Sequence, residues 1–143
     1  MKILSFKSNN KTLTDQAQAI RTHVFVEEQK VDPALEYDQF EEISTHYLVL
    51  DDEKPIATAR RRETEKGIKL ERFAVLQQYR NQGIGGLILE KVLKEVLPLN
   101  KPVYLNSQLM AVPFYERYGF VKSGDPFMEA NMEHYRMLFV DKL

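Results

Sequence analysis

The chain has 143 residues, 43% hydrophobic and 29% charged, the length of one domain with enough apolar residues for a core. Its 20 Lys and Arg against 21 Asp and Glu leave no basic excess to follow a nucleic-acid backbone, so no nucleic-acid partner is expected. With 0 cysteines it has no disulfide framework, no thiolate metal site and no cysteine nucleophile, and no metal is expected.

Residues 1–10 contain no apolar run of signal-peptide length, because Lys7 interrupts them. Residues 3–6 read as a short strand. Leu13, Ala17, Ile20 and Val24 recur at helical spacing, and Thr12 with Asp15 can cap that helix. His23 within it reads as structural. Asp32-Pro33 breaks the chain, and residues 36–42 are acidic and partly loop. Glu27 and Glu28 place negative charge at the end of the first helix, which its dipole disfavours. Together with Glu36, Asp38, Glu41 and Glu42 they form either an acidic rim for a cationic amine or a solvated loop.

Residues 47–50 and 55–61, joined by Asp51-Asp52-Glu53-Lys54, read as a hairpin, and residues 68–76 as a third successive strand. Alternate strand residues point to opposite faces. On that rule Arg60-Arg61-Arg62 reads as an exposed strand end, and Glu71 shares a face with Phe73 and Val75. Residues 83–97 form a helix with Ile84, Leu87, Ile88 and Val92 on one face, ended by Pro98. Glu90, Lys91, Lys94 and Glu95 keep it from being a membrane span. Residues 102–105 form a strand and 112–118 a short helix ended by Gly119. Residues 120–121 and 135–140 are the last two strands. The expected fold is α/β, a mixed sheet covered by helices, in a single domain over residues 1–143. A cytoplasmic protein without membrane association is expected.

Three of the 6 glycines fall in Arg80-Asn81-Gln82-Gly83-Ile84-Gly85-Gly86, between a strand and a helix. Missing Cβ atoms let successive N–H groups converge on an anion, and the helix N-terminus and Arg80 add positive charge. A Walker loop is excluded because no Gly-Lys-Ser/Thr follows, and Ile88 breaks the Rossmann spacing. The open alternative is a loop that lets a helix pack closely on a strand.

Phe114-Tyr115-Glu116-Arg117-Tyr118-Gly119-Phe120 is the second motif. Arg-x-x-Gly-x-Gly at 80–85 and Phe-Tyr-x-x-x-Gly-Phe at 114–120 together resemble the GNAT N-acetyltransferases, and the order of elements matches over nearly the whole chain. Val24-Phe25-Val26-Glu27-Glu28-Gln29, Ala57-Thr58-Ala59-Arg60, Glu71-Arg72-Phe73-Ala74-Val75 and Phe127-Met128-Glu129 before His134 are similar to its YjcF/ElaA-like branch. The resemblance implies an acyl-CoA N-acyltransferase fold, a mostly antiparallel sheet with splayed parallel strands and flanking helices. Its implied co-substrate is acetyl-CoA. The pyrophosphate would lie on N–H groups of Gln82, Gly83, Ile84, Gly85 and Gly86 beside Arg80. The pantetheine arm would pair with Phe73, Ala74 and Val75, where an N–H of Ala74 or Val75 could hold the oxyanion. An asparagine that many members carry before the short helix is here Leu109 or Met110. Its coenzyme contact is transferred to Asn106. The implied acceptor is a small-molecule or peptide amine, and a homodimer through the C-terminal strands is a family-level expectation.

Tyr115 is the expected general acid, since a phenol near ~10 and a thiol near ~8.5 exchange a proton at little cost. Glu71 is the candidate base, with an ion pair to Arg60 or Arg72 as the alternative. Glu28, His46 and His134 are candidate acceptor-binding residues. The rival functions are a non-catalytic acyl-CoA-binding module on the same fold and a nucleotide-binding protein.

Overall fold

The computed structural model describes residues 1–140. Three consecutive strands make the middle of one sheet: β2 (Thr45–Asp51), β3 (Lys54–Thr64) and β4 (Gly67–Val75). Asp52 and Glu53 join the first two with φ of 49° and 71°, the double positive conformation whose twist matches a hairpin. β1 (Lys2–Phe6) pairs outside β2. β5 (Val103–Gln108), β6 (Phe120–Lys122), β7 (Phe127–Glu129) and β8 (Met132–Phe139) complete the sheet. The order is β1-β2-β3-β4-β5-β8-β6, with β7 pairing on β8. Every pairing is antiparallel except β4 with β5. This is the mixed sheet expected from the sequence. β7 is the strand that periodicity did not find, because it is only three residues long. Its turn uses Ala130 and Asn131, at φ of 51° and 60°, in place of a glycine-bearing pair.

Helix α1 (Lys11–Arg21) covers one face, and its Ala17 and Ile20 meet Phe6, Leu48 and Ala74 in an apolar cluster. Asn10 caps it, accepting from the Leu13 N–H at 3.2 Å. The expected cap does not form: Thr12 lies inside the helix, and Asp15 faces Lys11 at 3.1 Å. The chain continues as a π-helical turn (Thr22–Glu28) and, after Asp32, as the short α2 (Pro33–Glu36).

The opposite face carries α3 (Ile84–Val96) and α4 (Val112–Arg117). Ile84, Ile88, Leu89, Val92 and Val96 of α3 pack on Tyr47, Ala57, Ile68 and Leu70 of the sheet. Each such aliphatic side chain stabilises the fold by about 1.5–3 kcal/mol when fully buried.

Candidate active site

The parallel pair is short. Ile68↔Val103, Lys69↔Tyr104 and Leu70↔Leu105 are its only matched positions, and beyond them β4 and β5 diverge. Glu71, Arg72 and Phe73 line one wall of the resulting cleft, and Asn106, Ser107 and Gln108 line the other. The space is about 460 Å³ and is bounded also by Tyr115 and His134. Leu76 donates to the Ile56 carbonyl at 2.9 Å, which fixes the alternation of the β3–β4 ladder. The Ala74 N–H therefore turns toward β3, and the Val75 N–H turns to the side on which β5 has left.

A bulge in β4 reverses its faces. Thr58 pairs with Ala74 but Arg60 with Glu71, so Ala59 stands against both Arg72 and Phe73, and Arg72 takes φ of 58°. Phe73 and Val75 consequently join Ile68 and Leu70 on the α3/α4 face. Glu71 stays with Lys69 on the α1 face. The expectation that Glu71 shares a face with Phe73 and Val75 is thus overturned, because one extra residue inverts two-residue alternation.

At the glycine loop, Gly83 has φ of 80° and no side chain caps α3. Leu87 is bonded to the Gly83 carbonyl at 3.1 Å, so the N–H groups of Ile84, Gly85 and Gly86 precede the first helical bond. They form the donor set an anion would use. Gly86 answers the packing reading as well, because a Cβ there would lie 2.0 Å from the Tyr118 hydroxyl. A Cβ on Gly85 would come no nearer than 3.4 Å to Phe114. Gln82 donates its amide to the Gln78 carbonyl at 3.1 Å. Arg80 is engaged within the protein: its Nε donates to the Val75 carbonyl at 2.8 Å and its guanidinium pairs with Glu28 at 2.7 Å. Glu28 also faces His23 at 3.4 Å, and neither residue lines the cleft.

Tyr115, on α4, is held by edge contacts with Phe73, Phe114 and Phe120, at ring separations of 6.2, 5.1 and 5.9 Å. Its hydroxyl makes no hydrogen bond among the described residues. Burial pushes the phenol well above its ordinary range, so it holds its proton.

The α1 face of the same cleft is ionic. Arg60 is fully buried, contrary to the expected exposed strand end, because carboxylates surround it. Its Nε donates to Glu71 at 2.8 Å, and its terminal nitrogens reach Asp38 at 2.7 Å and Glu41 at 2.6 Å. Glu71 takes Arg62 at 2.9 Å and Lys69 at 3.4 Å as well. Arg21 pairs with Glu36 and, at 2.9 Å, with Glu41. Arg72 pairs with Glu36 and Asp38, both at 3.1 Å. Of the acidic stretch expected as an open rim or a solvated loop, Glu36, Asp38 and Glu41 are thus folded inward onto arginines. Burial alone would raise the Glu71 carboxyl, but Arg60, Lys69, Arg72 and Arg62 outweigh it and hold it below the usual range. It is a poor proton acceptor.

The two candidate histidines separate. His46 is buried, stacks on Phe6 at 5.5 Å and bonds the Glu41 carbonyl at 3.1 Å, away from the cleft. Burial lowers its pKa. His134 lines the cleft and stacks on Phe127 at 5.8 Å. Its Nδ1 meets the Met132 carbonyl at 2.9 Å. A carbonyl can only accept, so Nδ1 is the donor to Met132, and Nε2 faces Glu129 at 3.7 Å. Asn106 lines the cleft opposite Arg136 on β8.

Sequence reading missed Arg62, Lys69 and Gln108, all on the cleft; Gln108 donates to Gln29 at 2.9 Å. The available signal was the polar alternation Tyr104, Asn106, Gln108 in a strand that lies between two others. Among the described residues, no helix is long and apolar enough to cross a membrane, and no group of three His, Asp or Glu could hold a metal.

Residues 10–140 match the family model described as Acetyltransferase (GNAT) domain. The chain is 38% identical over 132 residues to a Bacillus subtilis (strain 168) protein named Uncharacterized N-acetyltransferase YjcF, covering 91% of this chain and 94% of that one. Among solved structures it is similar to an acyl-CoA N-acyltransferase from Pseudomonas aeruginosa, with a TM-score of 0.87 and 26% identity over 98% of this chain and 100% of that one. Escherichia coli ElaA superposes with a TM-score of 0.90 at 22% identity over 98% of this chain and 100% of that one, a likeness of fold.

Proposed function

The chain belongs to the GNAT acetyltransferase family, whose members are acyl-CoA-dependent N-acetyltransferases, and from that premise we propose that the splayed cleft is where a primary amine attacks the thioester of acetyl-CoA. The observation that carries this reading is geometric: a phenol without a hydrogen-bond partner among the described residues, Tyr115, on the wall of a gap between parallel strands. The pantetheine arm is an extended chain with amide groups, and β4 offers it the edge that β5 has vacated. In this reading the pyrophosphate takes the N–H groups of Gln82, Gly83, Ile84, Gly85 and Gly86. Phe73, Ala74 and Val75 border the arm, Asn106 contacts it from the other wall, and Arg80 orients the Val75 carbonyl and the loop.

The amine nitrogen adds to the thioester carbon, and the carbonyl oxygen becomes an oxyanion held by the Val75 N–H. Collapse breaks the carbon–sulfur bond, and Tyr115 gives its proton to the departing sulfur. The ammonium must first lose a proton, which costs about 4–5 kcal/mol at neutral pH. Glu71 has too many cations around it for that task, since they hold its carboxyl below the usual range. We assign the proton to His134 Nε2 and give Glu71 the role of gathering Arg60, Arg62 and Lys69. Both substrates must be bound together, because the chain has 0 cysteines to carry the acetyl group.

Mass detection of acetylated product across a panel of amines tests the reading. Transfer to at least one amine separates an enzyme from a coenzyme-binding module. Gly85→Asp tests the donor site: its carboxylate would stand where phosphate binds, while the space around Gly85 admits a Cβ at 3.4 Å. Coenzyme A affinity in calorimetry should vanish with the circular dichroism unchanged. Unchanged affinity would remove the loop from the donor site, and competition by ATP as strong as by coenzyme A would favour a nucleotide site.

A further inference from the structure

Resting on the cleft being the acceptor's site, we propose that the acceptor is an amine that also carries an anionic oxygen group, a carboxylate or a phosphate, held by Lys69 and Arg62. Both residues line the cleft. The β3–β4 register sets them directly opposite each other, on one face of the sheet. Like charges in that position repel unless an anion lies between them. The carboxylate that joins them, Glu71, is shared with Arg60 as well.

Arg21, Arg60, Arg62, Lys69 and Arg72 are five cations, and they meet four carboxylates, Glu36, Asp38, Glu41 and Glu71. Within this network the acids are committed and the cations exceed them by one; the cleft's other carboxylate, Glu129, lies outside the network beside His134. Arg136 lies behind the β5 wall: it stands opposite Asn106, its guanidinium lies 5.1 Å from the Tyr104 ring, and its buried Nε has no hydrogen-bond partner. Tyr104 is in turn the cross-strand neighbour of Lys69. A purely cationic amine would find only Glu129 outside the arginine network, and would leave Lys69 and Arg62 sharing Glu71 with Arg60. An anionic oxygen group instead completes the set, as a charge-assisted partner for Lys69 and Arg62. Glu129, beside His134 on the same cleft and half exposed, remains for the ammonium end.

The test compares amines that differ only in the anion. ω-Amino acids of increasing length are set against alkylamines of the same length, and O-phosphoethanolamine against ethanolamine. The anionic member of a pair should have kcat/KM about ten- to a hundredfold higher, the worth of a charge-assisted contact. The better of the two arms identifies carboxylate or phosphate. Lys69→Met should bring that ratio close to one, and Lys69→Arg should retain it. Equal or better transfer to the uncharged member overturns the proposal. Binding is followed separately, by backbone amide shifts of the protein without coenzyme on titration with 4-aminobutyrate and with inorganic phosphate. Saturable shifts at Lys69 and Tyr104 with either ligand, lost in Lys69→Met, support the site, and their absence with both ligands overturns it whatever the turnover. Failure to bind acetyl-CoA with those shifts intact would overturn the donor reading and leave the anion site standing.

Discussion

The two faces of β4 are built from opposite chemistry. Toward α3 and α4 the strand shows Ile68, Leu70, Phe73 and Val75, which pack on aliphatic and aromatic side chains around Tyr115. Toward α1 it shows Lys69 and Glu71 within a lattice of arginines and carboxylates. Both faces meet at the cleft. The apolar face surrounds the Tyr115 ring with aromatic side chains and raises its phenol by burial. The ionic face keeps Glu71 deprotonated by surrounding it with cations, against a burial effect of the opposite sign. In the proposed mechanism the proton donor, Tyr115, belongs to the first face, while the second supplies the ion pairs around Arg60.

Variants on the two faces should separate turnover from stability. The largest effect is expected for Tyr115→Phe. The ring and its edge contacts remain, and only the transferable proton is lost. Turnover should fall by about 10²–10⁴ with coenzyme A affinity and melting temperature nearly constant. A marked loss of stability would show the hydroxyl to be structural. Wild-type turnover, where chemistry limits the rate, would assign the proton to another group.

Arg60→Met should act in the reverse way. It strands Glu71, Asp38 and Glu41 as buried, under-compensated carboxylates, and should cost about 3–5 kcal/mol in denaturant unfolding. Adding Glu71→Gln should recover part of the loss, since one stranded charge is removed. A loss of under about 1 kcal/mol would mean that the network behaves like an exposed ion pair.

The same network predicts an acid-sensitive stability. Burial alone would raise Asp38, but the hydrogen bonds and charge of Arg60, the Phe40 N–H and the charge of Arg72 bring it from 3.8 to about 2. Glu41 is lowered in the same way, burial being outweighed first by Arg21. Carboxyls depressed in the folded state stabilise it fully above their unfolded values, and that contribution disappears as pH falls through the folded ones. Stability should hold down to about pH 4 and drop toward about pH 2. A shallower slope over that window in Arg60→Met than in the wild type would tie part of it to Arg60, the remainder belonging to Arg21 and Arg72; an unchanged slope would remove Arg60 as a cause.

Gly83→Ala is the smallest change. A Cβ there meets nothing within 4 Å, so its cost is the left-handed backbone alone, about 1 kcal/mol. A larger loss in thermal unfolding would point to a rearranged loop.

What the sequence determined by itself is what local chemistry dictates. The apolar spacing of α3, the β2–β3 hairpin and the glycine-rich helix start are written in consecutive residues. The paired motifs at 80–85 and 114–120 carried the family. Tertiary structure decided the rest. The bulge at Arg72 has no residue signature, since it arises from how β3 and β4 pair, yet it sends Glu71 and Phe73 to opposite faces. Arg60 looks like one charge in a surface run. Only the return of residues 36–41 over the sheet makes it a buried hub, because a guanidinium leaves water only where carboxylates from distant parts of the chain converge on it. The histidines divide for the same reason: His46 and His134 have similar neighbours in sequence. Their partners, Phe6 for one and the Phe127–Met132 turn for the other, are set by strand pairing that no local rule encodes.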